Sequence, residues 1–304
     1  MVTKWSLALL WGLAVCSLPA LAHAELEIFS DSGIEGPTYE VQQAEMEAVA
    51  ATFPGQATIQ TYGDSVGGLP LKLVKITGAE YKPFGKQRPA VLISGSTHGN
   101  EYLNIADRLP RYFLENQKLL AGFGTFLQAG GVVYIIPVLN PDGYNRDMRR
   151  NLNNVDLNRD FDLLPEEESH FEEPETRELA QHFEEEVREE NLQVLLSVDY
   201  HCCNGSLLFP WSYTRESLPS DDLQAHRTIA EFMLETIDSS YEYGSTGQVL
   251  GYYPRGTSKD YYYARYGALA FTFEGAYRRE NQNFDRHILW WEKIFTYLVS
   301  ERMR

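Results

Sequence analysis

The sequence predicts an α/β fold: a mainly parallel, mixed sheet with helices packed on both faces, in a single domain. Short apolar runs, typical of strands buried on both faces, alternate along the chain with longer segments of helical periodicity. No internal repeat or low-complexity linker interrupts this alternation. The length is enough for one large core or two small ones, but α/β domains of this size are commonly single, so we favour one domain.

Five strands and five helices account for this pattern. The predicted strands are Leu69 to Ile76, Pro89 to Ser94, Val132 to Val138, Val194 to Val198 and Leu269 to Phe273. The predicted helices cover residues 37–53, 101–115, 174–190 and 222–237, and Phe284 to about Leu298. Strands alternating with helices imply crossover connections and therefore parallel pairing.

The N-terminus has the layout of a secretory signal. Lys4 precedes an apolar stretch, and Ala22-His23-Ala24 provides small residues at a cleavage site. We therefore expect a signal peptide over 1–24, a catalytic domain over 25–304, and a secreted or periplasmic protein. Lipid attachment at Cys16 is the alternative. No later apolar run approaches the ~20 residues of a membrane span, so we expect none in the mature chain.

Charge and cysteine content narrow the class further. The net charge of −17 disfavours a phosphate-binding surface, and we expect no nucleic-acid partner. Beyond Cys16 the cysteines are Cys202 and Cys203, which are adjacent and cannot join distant parts of the fold.

A His-x-x-Glu pattern, which supplies zinc ligands in some hydrolases, occurs three times. The pairs are His98/Glu101, His170/Glu173 and His182/Glu185. The second and third lie in glutamate-rich sequence, where solvated side chains explain them. The first follows the predicted strand Pro89 to Ser94, at the carboxyl end where open α/β sheets bind ligands.

A catalytic zinc takes three protein ligands, so a third is needed. His201 follows the predicted strand Val194 to Val198 and can reach the same sheet edge. Taken alone, it would be a core or surface histidine. Together with His98 and Glu101 it predicts one zinc per chain.

The sequence resembles the zinc carboxypeptidase family, the carboxypeptidase A-like metallopeptidases, from about Gly36 to Tyr277. Eight ordered segments carry the resemblance: Gly95 to Glu101, Asn140 to Gly143, Arg149 to Asn151, Val155 to Phe161, Glu173 to Thr176, His201 with Phe209 to Trp211, Gly256 to Tyr261, and Phe271 to Glu274. Each segment is weak evidence alone, but the shared order and spacing are specific.

The resemblance implies roles for several residues. Glu274 matches the catalytic carboxylate, and Arg149 matches the arginine that stabilises the oxyanion. Asn158 and Arg159 match the pair that holds the terminal carboxylate of the substrate, which implies an exopeptidase.

Two further matches concern the surroundings of these residues. Asp156 matches the partner of the first zinc histidine, although an Asp that caps a loop is the alternative. Tyr252 matches the mobile tyrosine that closes over substrate, and Tyr253 is its neighbour.

Lys259 stands where the family places the base of the pocket for the departing side chain. An ammonium there predicts preference for C-terminal Glu or Asp and admits diaminopimelate. The alternative is that Lys259 points into solvent. Cys202 and Cys203 replace the Ser and Tyr of many relatives, so the wall near the upstream substrate residues differs.

Three functions remain open from the sequence. The first is a secreted zinc carboxypeptidase acting on peptides, and the second is a murein peptide amidase that cuts cell-wall peptides before diaminopimelate. The third is a zinc-dependent binding protein without turnover. Glu274 and Arg149 argue against the third, because binding needs neither a base nor an oxyanion partner.

Overall fold

One eight-stranded sheet forms the centre of the molecule in the computed structural model, which describes residues 36–78, 87–161, 171–276 and 283–303. Its strands are β1 (Ala57–Asp64), β2 (Pro70–Thr77), β3 (Arg88–Gly95), β4 (Val132–Ile136), β5 (Leu192–Cys202), β6 (Ser206–Phe209), β7 (Glu242–Ser245) and β8 (Leu269–Gly275). The proposed signal peptide over 1–24 lies outside the described residues and stays a prediction.

Nine α-helices of the described residues surround the sheet. They are α1 (Tyr39–Thr52), α2 (Leu109–Asn116), α3 (Ala121–Gln128), α4 (Pro141–Tyr144), α5 (Pro174–Glu189), α6 (Ser220–Thr236), α7 (Thr246–Val249), α8 (Ser258–Tyr266) and α9 (Phe284–Tyr297). Leu157–Arg159 forms a 3-10 turn, and a π-helical turn over Leu298–Arg302 follows α9.

The strand order is β1-β2-β4-β3-β5-β8-β6-β7. The central strands β4, β3, β5 and β8 pair in parallel, as do β6 and β7. Antiparallel pairs join β1 to β2, β2 to β4, and β6 to β8. The mixed, mainly parallel sheet predicted from the sequence is therefore confirmed.

Two apolar layers cover the two faces of the sheet. One contains side chains of α1, α2, α3, α6 and α9, including the fully buried Trp290 and Trp291. The other contains Leu179 and Phe183 of α5 and Tyr261 and Tyr262 of α8. Because both faces are covered, the central strands are buried along their length, which explains their continuous apolar runs.

All five predicted strands exist, but the sequence missed three others. β6 and β7 have only four residues each, and β1 is an edge strand with mixed exposure, so none shows a clear apolar run. The prediction for Val132 to Val138 was two residues too long, because Pro137 follows the end of β4. β5 extends to Cys202, so His201 lies within the strand rather than after it.

The predicted helix over 101–115 is wrong in its first half. Residues 101–108 form turns, and α2 begins at Leu109 with a proline in its first turn. The backbone N–H of Glu101 bonds to the His98 carbonyl, and Asn104 has a φ of 55°, a left-handed value incompatible with a continuous helix. The other four predicted helices correspond to α1, α5, α6 and α9.

No helix within the four described ranges combines the length and the apolar character that crossing a membrane requires.

Candidate active site

The metal-ligand candidates meet at the carboxyl edge of the parallel strands. His98 and Glu101 follow the end of β3, while His201 is the penultimate residue of β5. His201 lies opposite Glu274 of β8 in the strand register. Gly99 lets the first loop pass close to α4, because a Cβ there would collide with the Gly143 backbone.

Three ligand atoms of His98, Glu101 and His201 converge on one point. The Nδ1 atoms of the two histidines are 3.0 Å apart. Glu101 Oε2 is 2.9 Å from the first Nδ1 and 3.0 Å from the second. All three side chains are buried, and their ligand atoms lie within 4.8 Å of one another.

Two further carboxylates fix the tautomers of both histidines. His98 Nε2 is 2.9 Å from Asp156 Oδ1, and His201 Nε2 is 2.8 Å from Asp199 Oδ2. Because ionised carboxylates only accept hydrogen bonds, each Nε2 carries the proton and each Nδ1 presents a lone pair. Two lone pairs and a carboxylate oxygen then face one another, an arrangement that calls for a cation.

Zinc fits this donor set. Two imidazole nitrogens and one carboxylate are a common set for catalytic zinc, which keeps a fourth position open. Bonds of about 2.0 Å in tetrahedral geometry place ligand atoms roughly 3.3 Å apart, close to the separations seen here. In such sites a carboxylate commonly accepts a hydrogen bond from the histidine ring nitrogen that does not bind the metal, here Nε2 of both histidines.

The electrostatics of the site also favour positive charge. Burial alone would lower the pKa of His201, but the neighbouring Asp199 and Glu101 outweigh it and raise that pKa well above its usual value. Burial likewise opposes ionisation of Glu101, yet the close contact with His201 and His98 holds the pKa of its carboxyl well below the ordinary range. The three ligands therefore attract a proton or a metal ion.

Arg149 lies at the rim of this cluster. Its Nη1 donates to Glu101 Oε1 at 2.9 Å, and its Nη2 donates to Asp156 Oδ2 at 3.0 Å. Its side chain is 42% exposed, so the guanidinium borders both the ligands and the open cleft. Asp156 thus accepts hydrogen bonds from both Arg149 and His98. It also caps the 3-10 turn by accepting from the backbone N–H of Asn158.

Glu274 lies in the same cleft as the three ligands. Its carboxylate has no hydrogen bond or ion pair with any described residue. Burial raises the pKa of the Glu274 carboxyl above its ordinary value, and the negative charge of Glu101 adds to this, although His201 opposes the effect. A carboxylate of raised basicity beside a metal site is suited to accept a proton.

Asn158 and Arg159 line the cleft beyond the ligands. Asn158 Oδ1 accepts from Ser258 N–H at 3.0 Å, which leaves its amide nitrogen for a ligand. Arg159 donates to the Asn158 carbonyl but pairs with no carboxylate in the described part of the chain. Gly256, with φ of 71°, brings its loop against the Arg159 backbone, where a side chain would not fit.

Lys259 lies in the first turn of α8, inside the protein rather than in solvent. It is 2% exposed and lines the cleft, and its Nζ has no hydrogen bond or ion pair within the described ranges. Desolvation lowers the pKa of its ammonium group below the usual lysine value, and the negative charge of Asp260 only partly compensates. Asp260 itself accepts hydrogen bonds from Ser212.

Tyr252 stands at the mouth of the cleft and is 47% exposed, whereas Tyr253 lines a separate hollow beside Arg215. Cys202 and Cys203 form part of the cleft wall. Cys202 N–H also donates to Glu101 Oε2 at 3.3 Å.

Within the described ranges, the members of the other His-x-x-Glu pairs do not gather metal ligands. His182 Nε2 contacts Gln60 Oε1 at 3.2 Å, and its ring stacks on Tyr62. Glu173 accepts hydrogen bonds from Asn151 and Asn153, while His170 lies outside the described residues. His98, Glu101 and His201 are the one such cluster among the residues described.

Sequence reasoning missed Asp199. It lies two residues before His201 on β5, and residues two apart share one face of a strand. That periodicity, applied to a proposed zinc histidine, could have identified it as the partner of the remote ring nitrogen.

The profile of the zinc carboxypeptidase family matches residues 43–287. This chain belongs to the zinc carboxypeptidase family. The match covers most of the chain and confirms the resemblance found in the ordered segments.

Curated relatives are distant. The chain is 26% identical over 279 residues to carboxypeptidase B of Helicoverpa zea, covering 77% of this chain and 61% of that protein. It is 24% identical over 260 residues to mouse carboxypeptidase A4, covering 76% and 60%. An inactive metallocarboxypeptidase of Blastomyces gilchristii is 24% identical over 199 residues, covering 56% and 33%. The chain spans less than two thirds of each relative.

Solved structures share the fold. Bovine thrombin-activatable fibrinolysis inhibitor in complex with tick carboxypeptidase inhibitor superposes with a TM-score of 0.68 at 21% identity, covering 86% of this chain and 97% of that one. Carboxypeptidase A of Helicoverpa armigera gives 0.60 at 23% identity, covering 86% and 71%. These likenesses support the α/β architecture of the whole described domain.

Proposed function

We propose that this protein is a zinc-dependent metallocarboxypeptidase that removes residues from the C-termini of peptides. The observation that carries the proposal is the convergence of His98 Nδ1, His201 Nδ1 and Glu101 Oε2, with both remote ring nitrogens held by carboxylates. Membership of the zinc carboxypeptidase family supports zinc as the metal, one ion per chain.

Zinc held by these ligands would supply Lewis-acid activation of water and of the scissile carbonyl. Glu274, unpaired and of raised basicity, takes a proton from the attacking water and later gives it to the leaving amine. Arg149 borders the ligands and the open cleft, and its positive charge would stabilise the negative oxygen of the tetrahedral species.

The far side of the cleft accounts for exopeptidase action. Arg159 is a cation without a carboxylate partner in the described residues, and a planar guanidinium binds a carboxylate through two parallel hydrogen bonds. The Asn158 amide is next to it. We assign both to the terminal carboxylate of the substrate and assign Tyr252, exposed at the mouth, to closing over it.

Parallel digestion tests this function. The zinc-loaded protein is incubated with a peptide library carrying varied C-termini and with muropeptides, and the products are identified by mass spectrometry. We expect loss of single C-terminal residues from the library. Cleavage confined to muropeptides before diaminopimelate would establish the amidase alternative, and zinc binding without any cleavage would establish the binding protein.

A finer proposal concerns the residue removed. Lys259 presents an unpaired ammonium inside the cleft, and a buried charge without a partner is costly. Asp199 lies near it, but both oxygens of that carboxylate already accept hydrogen bonds. A substrate side chain with its own carboxylate would complete the pair, so we propose preference for C-terminal Glu or Asp.

Three matched peptides that differ only in a terminal Glu, Phe or Arg decide this preference. We expect kcat/KM to be highest for the Glu peptide. Equal or better cleavage of the Phe or Arg peptide would refute the role of Lys259 while leaving the carboxypeptidase assignment intact.

Export is proposed on separate grounds, from the Ala22-His23-Ala24 site. We expect cleavage before Glu25. Intact-mass measurement of the protein recovered from periplasm or medium checks it, and a retained or diacylated N-terminus would contradict it.

A further inference from the structure

Asp199 is a buried carboxylate that joins several elements of the site. It is 4% exposed and accepts four side-chain hydrogen bonds. Oδ1 accepts from Ser94 Oγ and Thr97 Oγ1, each at 2.9 Å. Oδ2 accepts from His201 Nε2 at 2.8 Å and from Ser258 Oγ at 2.9 Å. Four acceptor positions are therefore filled, the capacity of an ionised carboxylate.

The two bonds to Oδ2 connect different functions. One holds the imidazole of the metal ligand His201, and the other holds Ser258, the first residue of α8. Lys259 is the next residue of that helix. The Ser258 backbone N–H also donates to Asn158 Oδ1, so the start of α8 is fixed from two sides.

We propose that Asp199 is a positioning residue that couples the metal centre to the specificity pocket. Through His201 it sets zinc affinity, and through Ser258 it sets the position of Lys259 and hence recognition of an acidic side chain. The inference rests on the proposed carboxypeptidase function and adds a residue that touches neither zinc nor substrate.

Replacement by asparagine shows why a carboxylate is required. The amide of an Asp199→Asn variant keeps one accepting oxygen, which can still serve Ser94 and Thr97. Its NH₂ group then faces His201 Nε2–H donor against donor, whereas the Ser258 hydroxyl can rotate and accept from it. His201 relieves this conflict by moving its proton to Nδ1, which removes the lone pair that the metal needs.

Three variants separate the effect of Asp199 on His201 from its effect on Ser258 and α8. Asp199→Asn removes the acceptor of His201 Nε2–H, Ser258→Ala removes the hydrogen bond to α8, and Ser94→Ala is the matched control, which removes one bond from the opposite oxygen. Zinc affinity is measured by chelator competition without substrate. Selectivity is measured by calorimetry as the ratio of dissociation constants for peptides ending in Phe and Glu, in a Glu274→Gln background that needs no turnover.

We expect Asp199→Asn to weaken zinc binding about 10- to 100-fold, the usual effect of losing the partner of a metal histidine. Ser258→Ala should keep zinc affinity but reduce the selectivity ratio about fivefold, because the start of α8 loses one hydrogen bond and the position of Lys259 is less fixed. Ser94→Ala should change neither quantity more than about twofold, because Thr97 still donates to the same oxygen.

The proposal is overturned if Asp199→Asn binds zinc like the parent, or if Ser258→Ala keeps the parent selectivity ratio. Should Asp199→Asn fail to fold, as judged by circular dichroism, the Ser258→Ala measurement alone decides. Because neither readout needs hydrolysis, an absence of peptidase activity would refute the proposed function without deciding this coupling.

Discussion

The two sides of the cleft are built in opposite ways. On the metal side, the polar atoms of His98, Glu101 and His201 are held by neighbours, and Asp156 and Asp199 fix the rings. On the pocket side, several polar groups have no such partner in the described part of the chain. The ammonium of Lys259 and the carboxylate of Glu274 are unpaired, Arg159 pairs with no carboxylate, and the buried Thr272 hydroxyl makes no hydrogen bond.

The difference distinguishes side chains that must be rigid to hold a metal from polar groups that a substrate can pair with. Side chains already held in one tautomer and one geometry lose little conformational entropy when a metal ion binds, which favours affinity for the metal. Buried polar groups without partners are costly in the free protein, and that cost is relieved when a substrate supplies the missing partners. The contrast predicts that changes on the metal side affect metal and turnover, whereas Lys259 affects selectivity.

The largest effect is expected from loss of a metal ligand. His201→Ala removes one of three ligands and should abolish both stoichiometric zinc and hydrolysis. His182→Ala, in the other histidine pair, is the matched control and should retain one zinc per chain. Elemental analysis with peptide assays checks both; intact zinc in His201→Ala with loss in His182→Ala would show that the wrong motif is assigned.

Glu274→Gln tests whether the carboxylate of Glu274 transfers the proton in catalysis. The amide keeps the shape of the side chain but cannot accept the proton, so kcat should fall about 10²- to 10⁴-fold. Zinc content and peptide affinity should remain those of the parent, as measured by elemental analysis and calorimetry. Near-parental kcat would remove Glu274 from the mechanism.

Lys259→Ile tests the pocket side alone. Loss of a charge-assisted hydrogen bond should lower kcat/KM for the Glu peptide about 10- to 100-fold and shift preference toward Phe, with zinc content unchanged. Lys293→Ile, on the exposed side of α9 where Lys293 pairs with Glu235, is the control for loss of a lysine. Equal losses on the Glu and Phe peptides would indicate that Lys259 has only a structural role.

A smaller effect is expected from pH. Burial lowers the pKa of Lys259, so its ammonium loses its proton at a lower pH than an ordinary lysine. The lysine is charged below this pKa and neutral above it, so the ratio of kcat/KM for Glu over Phe peptides should fall as pH rises through it. A ratio that stays constant over the alkaline range would contradict this; Lys259→Ile should give a flat profile.

The sequence predicted the candidate metal ligands from their positions after the buried strands. His98, Glu101 and His201 could be selected because they follow apolar runs, and the carboxyl ends of parallel strands meet at one edge. The rival pair at His182 has the same spacing, and only its glutamate-rich context argued against it. In the structure His182 contacts Gln60 and Tyr62, and no metal-ligand cluster found among the described residues includes it.

Other features were beyond sequence reasoning for physical reasons. The turns over 101–108 interrupt a helical pattern, and the Glu101 side chain there contacts His201, a long-range contact that periodicity does not contain. β6 and β7 are too short to show alternation. For Lys259, the sequence left a solvent-facing position open as the alternative. The four hydrogen bonds to Asp199 come from residues far apart in the chain and could be seen only in the folded protein.

The most direct test of the central claim, that metal site and carboxylate-binding pocket form one active site, is a comparison of two peptides. They share a sequence ending in Glu and differ only in a free or an amidated C-terminus. The zinc-loaded protein should release Glu from the free acid and cut the amide at least about 100-fold more slowly, since Arg159 loses a charge-assisted pair. Chelation should stop the reaction and zinc should restore it. Equal cleavage of both peptides would contradict the account.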